Sequence, residues 1–246
     1  EYNNISSLKK VISDHDIGII KMEVKREEDP KNNFLQEVRK IADKKNIILI
    51  FDECTSGFRK TFGGLHKYYK VKPDMAMFGK ALGNGYAITA VIGKRSIMES
   101  ASSNFISSTM WTERIGTSAA IECLNVMENM KSWQKISQTG IWLKEQWKKL
   151  AKLHKLKIEI QGLDAIPNFI FKSQNHNSYK TLITQELLKK NLLATNKIFI
   201  SVLHNKKNLQ NYLNEMDKVF SLISRIENGD KIENYLKYPE SFNPYI

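Results

Sequence analysis

The sequence predicts an α/β protein, a mainly parallel sheet with helices on both faces followed by a smaller α+β region. Three observations carry this. Ile47-Ile48-Leu49-Ile50-Phe51 is an unbroken run of large apolar residues, the pattern of a strand covered on both faces. Ahead of it, Phe34, Leu35, Val38, Ile41 and Ala42 recur at helical offsets between charged residues, and Ile17 to Met22 reads as a buried strand ending at Glu23. Strand, helix, strand over Ile17 to Phe51 is a βαβ unit, for which parallel pairing with a right-handed crossover is the strong default. Finally, the texture changes near Lys131, where a lysine-rich helix begins that is followed by short strands. The domains expected are therefore residues 1–130 and 131–246.

In chain order, Ile5 to Ser13 reads as the end of a helix. Lys25 to Pro30 reads as a loop and Thr55 to Arg59 as another, with a turn and short helix over Phe62 to Tyr69. Pro73 to Phe78 is a second buried strand, delivering Lys80 into the glycine-rich turn Ala81-Leu82-Gly83-Asn84-Gly85. Ala87 to Ile92 forms a further apolar strand, with a short helix near Arg95 to Ser100. Ile115, Ala119, Cys123, Val126 and Met127 start a long helix with an apolar stripe. A helix over Ser132 to Leu153 follows, then strands at Lys157 to Ile160, Pro167 to Phe171 and Ile198 to Leu203. Helices lie around Tyr179 to Lys190 and through Leu209, Tyr212, Met216, Phe220 and Ile223, and the tail from Lys231 to Ile246 is irregular and docked.

Composition narrows the function. The 246 residues carry a formal charge of +12, but the lysines are spread along helices rather than clustered with exposed aromatics, which argues against a nucleic-acid partner. No window approaches the length of apolar residues that a membrane span needs, so none is expected. Two cysteines, Cys54 and Cys123, form neither a CxxC nor a disulfide framework, which fits a reducing compartment such as the cytoplasm, and no metal site is expected. The first residues contain no apolar signal core and no initiator methionine, as though cut from something longer.

Two carboxylates, Asp52 and Glu53, follow the apolar strand, at the end of an open α/β sheet where ligands bind. Alone, such an aspartate is as readily a loop-solvated or helix-capping group, and a lone lysine is most often a solvated charge. Together, an acid and an amine that end neighbouring elements suggest imine chemistry.

Phe51-Asp52-Glu53-Cys54-Thr55-Ser56-Gly57-Phe58-Arg59, Pro73-Asp74 and Gly79-Lys80-Ala81-Leu82-Gly83-Asn84-Gly85 closely resemble the class III aminotransferases of the fold-type I pyridoxal-phosphate family. Glu23 falls where that family has Glu-Pro, with Val24 in place of the proline. Ser108 to Gly116 is similar to a further motif, with Glu113 and Arg114 departing from it toward the aminomutase-like or polysaccharide-pathway branches.

The resemblance implies pyridoxal 5'-phosphate as cofactor, held as a Schiff base on Lys80. Asp52 would keep its pyridine nitrogen protonated, so that the ring acts as an electron sink. Lys80, once displaced, would move the substrate proton as general base and acid. Cys54 would pack on the ring face, and Thr55 would lie near the ring hydroxyl. Thr109 would bond the phosphate across a homodimer interface, although a plain turn threonine reads equally well there. Trp111 reads as packing, His66 as a structural histidine and Arg59 as a salt-bridge residue. The implied fold is the second half of the family's large domain plus its small C-terminal domain, and the family's phosphate loop and ring-stacking aromatic are absent from these residues. The implied partners are a small-molecule amino donor and a carbonyl acceptor, for transamination or 2,1-aminomutation. The rival readings are a non-catalytic interaction unit and a basic nucleic-acid binder.

Overall fold

The computed structural model describes residues 1–25, 27–107, 109–110 and 112–240. The Ser108 and Trp111 assignments and the end of the tail, 241–246, lie outside the described residues. The chain divides into two compact units, Glu1–Gln134 and a second from Lys135 on.

The first unit is built on a sheet with the order β1 (Ile19–Glu23), β2 (Ile48–Asp52), β3 (Met75–Phe78) and β4 (Ala90–Gly93). The first three strands are parallel and β4 runs antiparallel to β3. Helix α1 (Ile5–Asp14) precedes β1, and α2 (Phe34–Lys45) makes the crossover to β2. Phe34, Leu35, Val38 and Ala42 form the buried stripe of α2. Asn46 ends that helix in the left-handed conformation, donating to Ala42 O and Asp43 O, while Lys44 and Lys45 in the last turn complement the helix dipole.

Burial is more one-sided than the apolar runs imply. Leu49 and Phe51 of β2 are fully buried, but Ile48 and Ile50 on the opposite face are only half-buried. Strand β1 is not the buried strand expected, for it forms one edge of the described sheet and Ile19 is exposed. Strand β4 is likewise an exposed edge. Beyond it come α4 (Arg95–Met98) and α5 (Ile115–Met130). Ala120 of α5 is buried, and Leu124 and Met127 pack against the same cluster, but Ile115 and Val126 of the expected stripe face outward.

Asp74 clamps this unit. Its carboxylate, 8% exposed, accepts from Leu49 N at 2.8 Å and Arg39 Nη1 at 2.8 Å, and pairs with Lys94 Nζ at 2.6 Å. One side chain thereby joins β2, α2 and the chain leaving β4.

The second unit takes up α6 (Ser132–Leu153) from Lys135 on, then β5 (Ile158–Gln161), β6 (Asn168–Phe171), α7 (His176–Leu188) and α8 (Lys206–Glu227), with β5 and β6 antiparallel. Trp147, Phe169, Tyr179 and Phe220 are buried to 0% exposure at its centre, and Trp147 Nε1 donates to Tyr212 Oη at 3.1 Å. Gly140 permits the close approach of α6 to the connection between β5 and β6, since a Cβ there would sit 1.6 Å from Asp164 O. The third strand expected at Ile198 to Leu203 is not formed. Ile198 N and Ile200 N donate to Pro167 O and Ala165 O, but the pairing reduces to an isolated bridge at Lys197, and Leu203 is exposed. Beyond Ile200 the side chains of Ser201, Val202 and Leu203 are all exposed, and the segment runs alongside β6 without becoming a ladder. The tail docks through Thr181, which donates to Pro239 O, and Gln185, which bonds Tyr235 O and Lys237 N.

The three donors around Asp74 outweigh the effect of its burial and hold its carboxyl at about 2, below the ordinary 3.8. Its contribution to folding is therefore complete above about pH 4 and is lost as pH falls through about 2. We expect urea titrations of Asp74→Asn to show a loss on the order of 1 to 2 kcal/mol relative to the parent protein at pH 7, shrinking toward zero near pH 2. An equal difference at both pH values contradicts the clamp.

Candidate active site

The site begins where β2 stops. Successive residues of a strand face opposite sides, and the two carboxylates at its end have opposite fates. Glu53 is fully buried. It accepts from Ser56 Oγ at 2.5 Å, Leu65 N at 2.9 Å and His66 N at 2.9 Å, with His66 Nδ1 2.8 Å from Oε1. Burial works to raise its carboxyl, but these bonds prevail and hold it below the ordinary glutamate range. His66 is thus the structural histidine expected, at the start of α3 (His66–Tyr69).

Asp52 turns the other way, with its side chain 24% exposed. Its Oδ1 accepts from Cys54 N at 3.1 Å, and Oδ2 lies 3.3 Å from Lys21 Nζ on β1. Burial again acts upward, but the bonds from the Cys54 backbone and thiol and the Lys21 ammonium keep Asp52 below the usual aspartate range. It is an ionised acceptor at neutral pH. The Cys54 thiol moves the opposite way, pushed up by burial and then by its bond to Asp52.

Lys80 arrives from β3. Gly79 is extended, and Lys80 then adopts φ +47 as it opens a short 3-10 turn, Lys80–Leu82. Leu82 N donates to Gly79 O and Asn84 N to Lys80 O, closing the turn. A Cβ at Gly79 would stand 3.3 Å from Thr89 Cγ2 and 3.4 Å from Cys54 Sγ, so the backbone passes tightly beside Cys54. The ammonium of Lys80 then donates to Thr55 Oγ1 at 2.5 Å.

Asp52, Cys54, Thr55 and Lys80 are therefore brought together by the ends of neighbouring parallel strands. Thr109 stands in an exposed turn outside this hydrogen-bonded group. Beside Asp52 a hollow of about 620 Å³ is lined by Tyr2, Lys21, Met22, Glu23, Glu27, Glu28 and Asp52.

Reasoning from the sequence missed three roles. Glu53 was unassigned, although strand alternation puts it on the face opposite Asp52. Lys21 gave no signal within its strand. Glu113, a departure from the family motif, accepts from Ile115 N and Gly116 N and so caps α5, a task suited to an acid at a helix start.

The donor set fits a pyridoxal cofactor at its ring and aldehyde. It offers an ionised carboxylate for a protonated ring nitrogen and an exposed primary amine at the next strand end. We expect Glu53→Gln to lower stability by about 2 kcal/mol, because it replaces a charged acceptor among donors that stay buried, and Ser56→Ala to cost about 1 kcal/mol. Thermal denaturation checks the order, and a Glu53→Gln protein as stable as the parent contradicts it.

The profile described as Aminotransferase class-III matches residues 28–219. The 3-aminobutyryl-CoA aminotransferase of Cloacimonas acidaminovorans is 33% identical over 193 residues, covering 75% of this chain and 47% of that protein. A glutamate-1-semialdehyde 2,1-aminomutase of Nitrosopumilus maritimus is 39% identical over 140 residues, covering 54% of this chain and 33% of its own length. The aminomutase of Thermodesulfovibrio yellowstonii is 27% identical over 242 residues, covering 89% and 57%. The chain thus spans about half the length of the curated relatives it matches. Among solved structures, the PLP internal aldimine form of FumI from Sphingopyxis sp. MTA144 superposes with a TM-score of 0.85 at 21% identity, covering 96% of this chain and 59% of that one. Ornithine aminotransferase from Plasmodium yoelii superposes at 0.77 and 25% identity, covering 90% and 61%. The fold is that of the fold-type I PLP transaminases. With the profile matched over most of its length, the chain belongs to the class-III aminotransferase family.

Proposed function

We propose that the protein carries out pyridoxal-phosphate-dependent amino group transfer, by transamination or 2,1-aminomutation, between a small-molecule amino donor and a carbonyl acceptor. One observation carries the reading: Lys80, resting on the Thr55 hydroxyl, and the ionised Asp52 lie at the ends of adjoining strands, within the segment that matches the family. Bound there, pyridoxal 5'-phosphate supplies an aldehyde that captures amines and a protonated ring that draws electrons from the bond to be broken.

The chain's own residues divide the remaining work. Lys80 would hold the cofactor through its amine, and Nζ, when free, would accept and return the substrate's proton. Thr55 Oγ1 accepts from Nζ and so steers the amine. Asp52 takes the ring N–H on a carboxylate whose other bonds keep it ionised. Cys54 is the small side chain between Asp52 and the Gly79 backbone, suited to lie against a flat ring. Thr109 serves the phosphate of a second subunit in a homodimer.

Reduction with borohydride after incubation with pyridoxal 5'-phosphate tests the reading. We expect a stable pyridoxyl adduct on the peptide containing Lys80, lost in Lys80→Ala with at least a tenfold fall in labelling. Equal labelling of Lys80→Ala, spread over surface lysines, overturns the proposal and leaves an interaction unit.

A further inference from the structure

We propose that Lys21 is a positioning residue for Asp52: it pins carboxylate oxygen Oδ2 and shares the negative charge that the site offers to a protonated ring nitrogen. The proposal rests on the cofactor reading above. Lys21 and Glu23 lie two residues apart on β1 and so share one face, and Glu23 is the register partner of Asp52. A lysine stem laid along that face reaches the strand end, where Nζ stands 3.3 Å from Oδ2. With Oδ1 held by Cys54 N at 3.1 Å, the carboxylate is fixed at both oxygens.

Stability does not explain the pair. Lys21 is 52% exposed, and ion pairs of that kind contribute little to folding. Its consequence is local charge. Glu23, Glu27 and Glu28 line the same hollow as Asp52, and Tyr2 adjoins them; Lys80 faces Cys54 from the 3-10 turn. Among these acids, Asp52 without Lys21 would be a stronger proton acceptor. Paired with Lys21 it is a weaker one, so the shared proton stays on the ring nitrogen, where it sustains electron withdrawal, and does not pass to the carboxylate.

Cys54 reports this charge without any cofactor. In a Cys123→Ser background, the pH midpoint of Cys54 alkylation by iodoacetamide is measured. We expect Lys21→Met to raise it by about 0.5 pH unit, since a cation facing both Asp52 and the thiol is lost, and Lys21→Arg to restore it. In an Asp52→Asn background only the direct effect of the cation on the thiol remains, so the Lys21→Met shift should shrink by the part that the carboxylate carries. No shift in Lys21→Met, or a shift undiminished by Asp52→Asn, overturns the proposal. Absorbance titration with pyridoxal 5'-phosphate separates the two readings. If the unaltered protein does not bind the cofactor, the cofactor reading and the ring-nitrogen role both fall, while the Cys54 midpoint decides the ion pair by itself.

Discussion

The site depends on a buried carboxylate that takes no part in its chemistry. Glu53 ends β2 facing inward, and a charge taken out of water is tolerable only if its oxygens are fully engaged. Ser56, Leu65 and His66 engage them, closing the segment from 53 to 66 onto the strand end. Gly57 N returns to Glu53 O at 2.8 Å, and a Cβ at Gly57 would crowd both that oxygen and the Phe78 ring, so the turn closes only around glycine. Because Glu53 is committed inward, Asp52 must face outward, and Cys54 and Thr55 emerge on a rigid turn. The outward groups inherit their precision from the inward one.

The amine half is held by different means. Asp74 clamps β3 to β2 and α2 at the start of the strand, and Gly79 passes close to Cys54 at its end. Lys80 then adopts a left-handed backbone conformation, which costs a residue with a Cβ about 1 kcal/mol. Such conformations persist where their surroundings overdetermine them. Here the 3-10 turn bonds on one side and the Thr55 hydroxyl on the other do so, and they hold the amine at the turn that follows β2.

Much of this was legible from the residues, for identifiable reasons. An apolar run ending in acid, and a lysine opening a glycine turn, are local signals, and both strands formed where those signals put them. The helix α2 was legible from its period alone. What local patterns do not carry is which neighbour a polar group meets. Asp74 reads as the start of a strand, yet its partners come from positions 39, 49 and 94. Lys21 reads as one polar residue in an apolar strand, and only parallel register brings it to Asp52. Burial was overread for the same reason, since β1, β4 and the outward face of α5 are apolar in sequence but exposed in this unit. In the second unit, Ile198 to Leu203 has the composition of a strand, but its side chains beyond Ile200 are exposed and only an isolated bridge forms.

The proposed function turns on one geometry: two strand ends that would present an acid and an amine to the same small molecule. A crystal structure of the protein grown with pyridoxal 5'-phosphate measures it most directly. The proposed function requires continuous density from Lys80 Nζ to the cofactor, with the ring nitrogen within hydrogen-bond distance of Asp52. A ring bound away from Asp52, or a Lys80 amine still resting on Thr55 with the cofactor seated elsewhere, would contradict it.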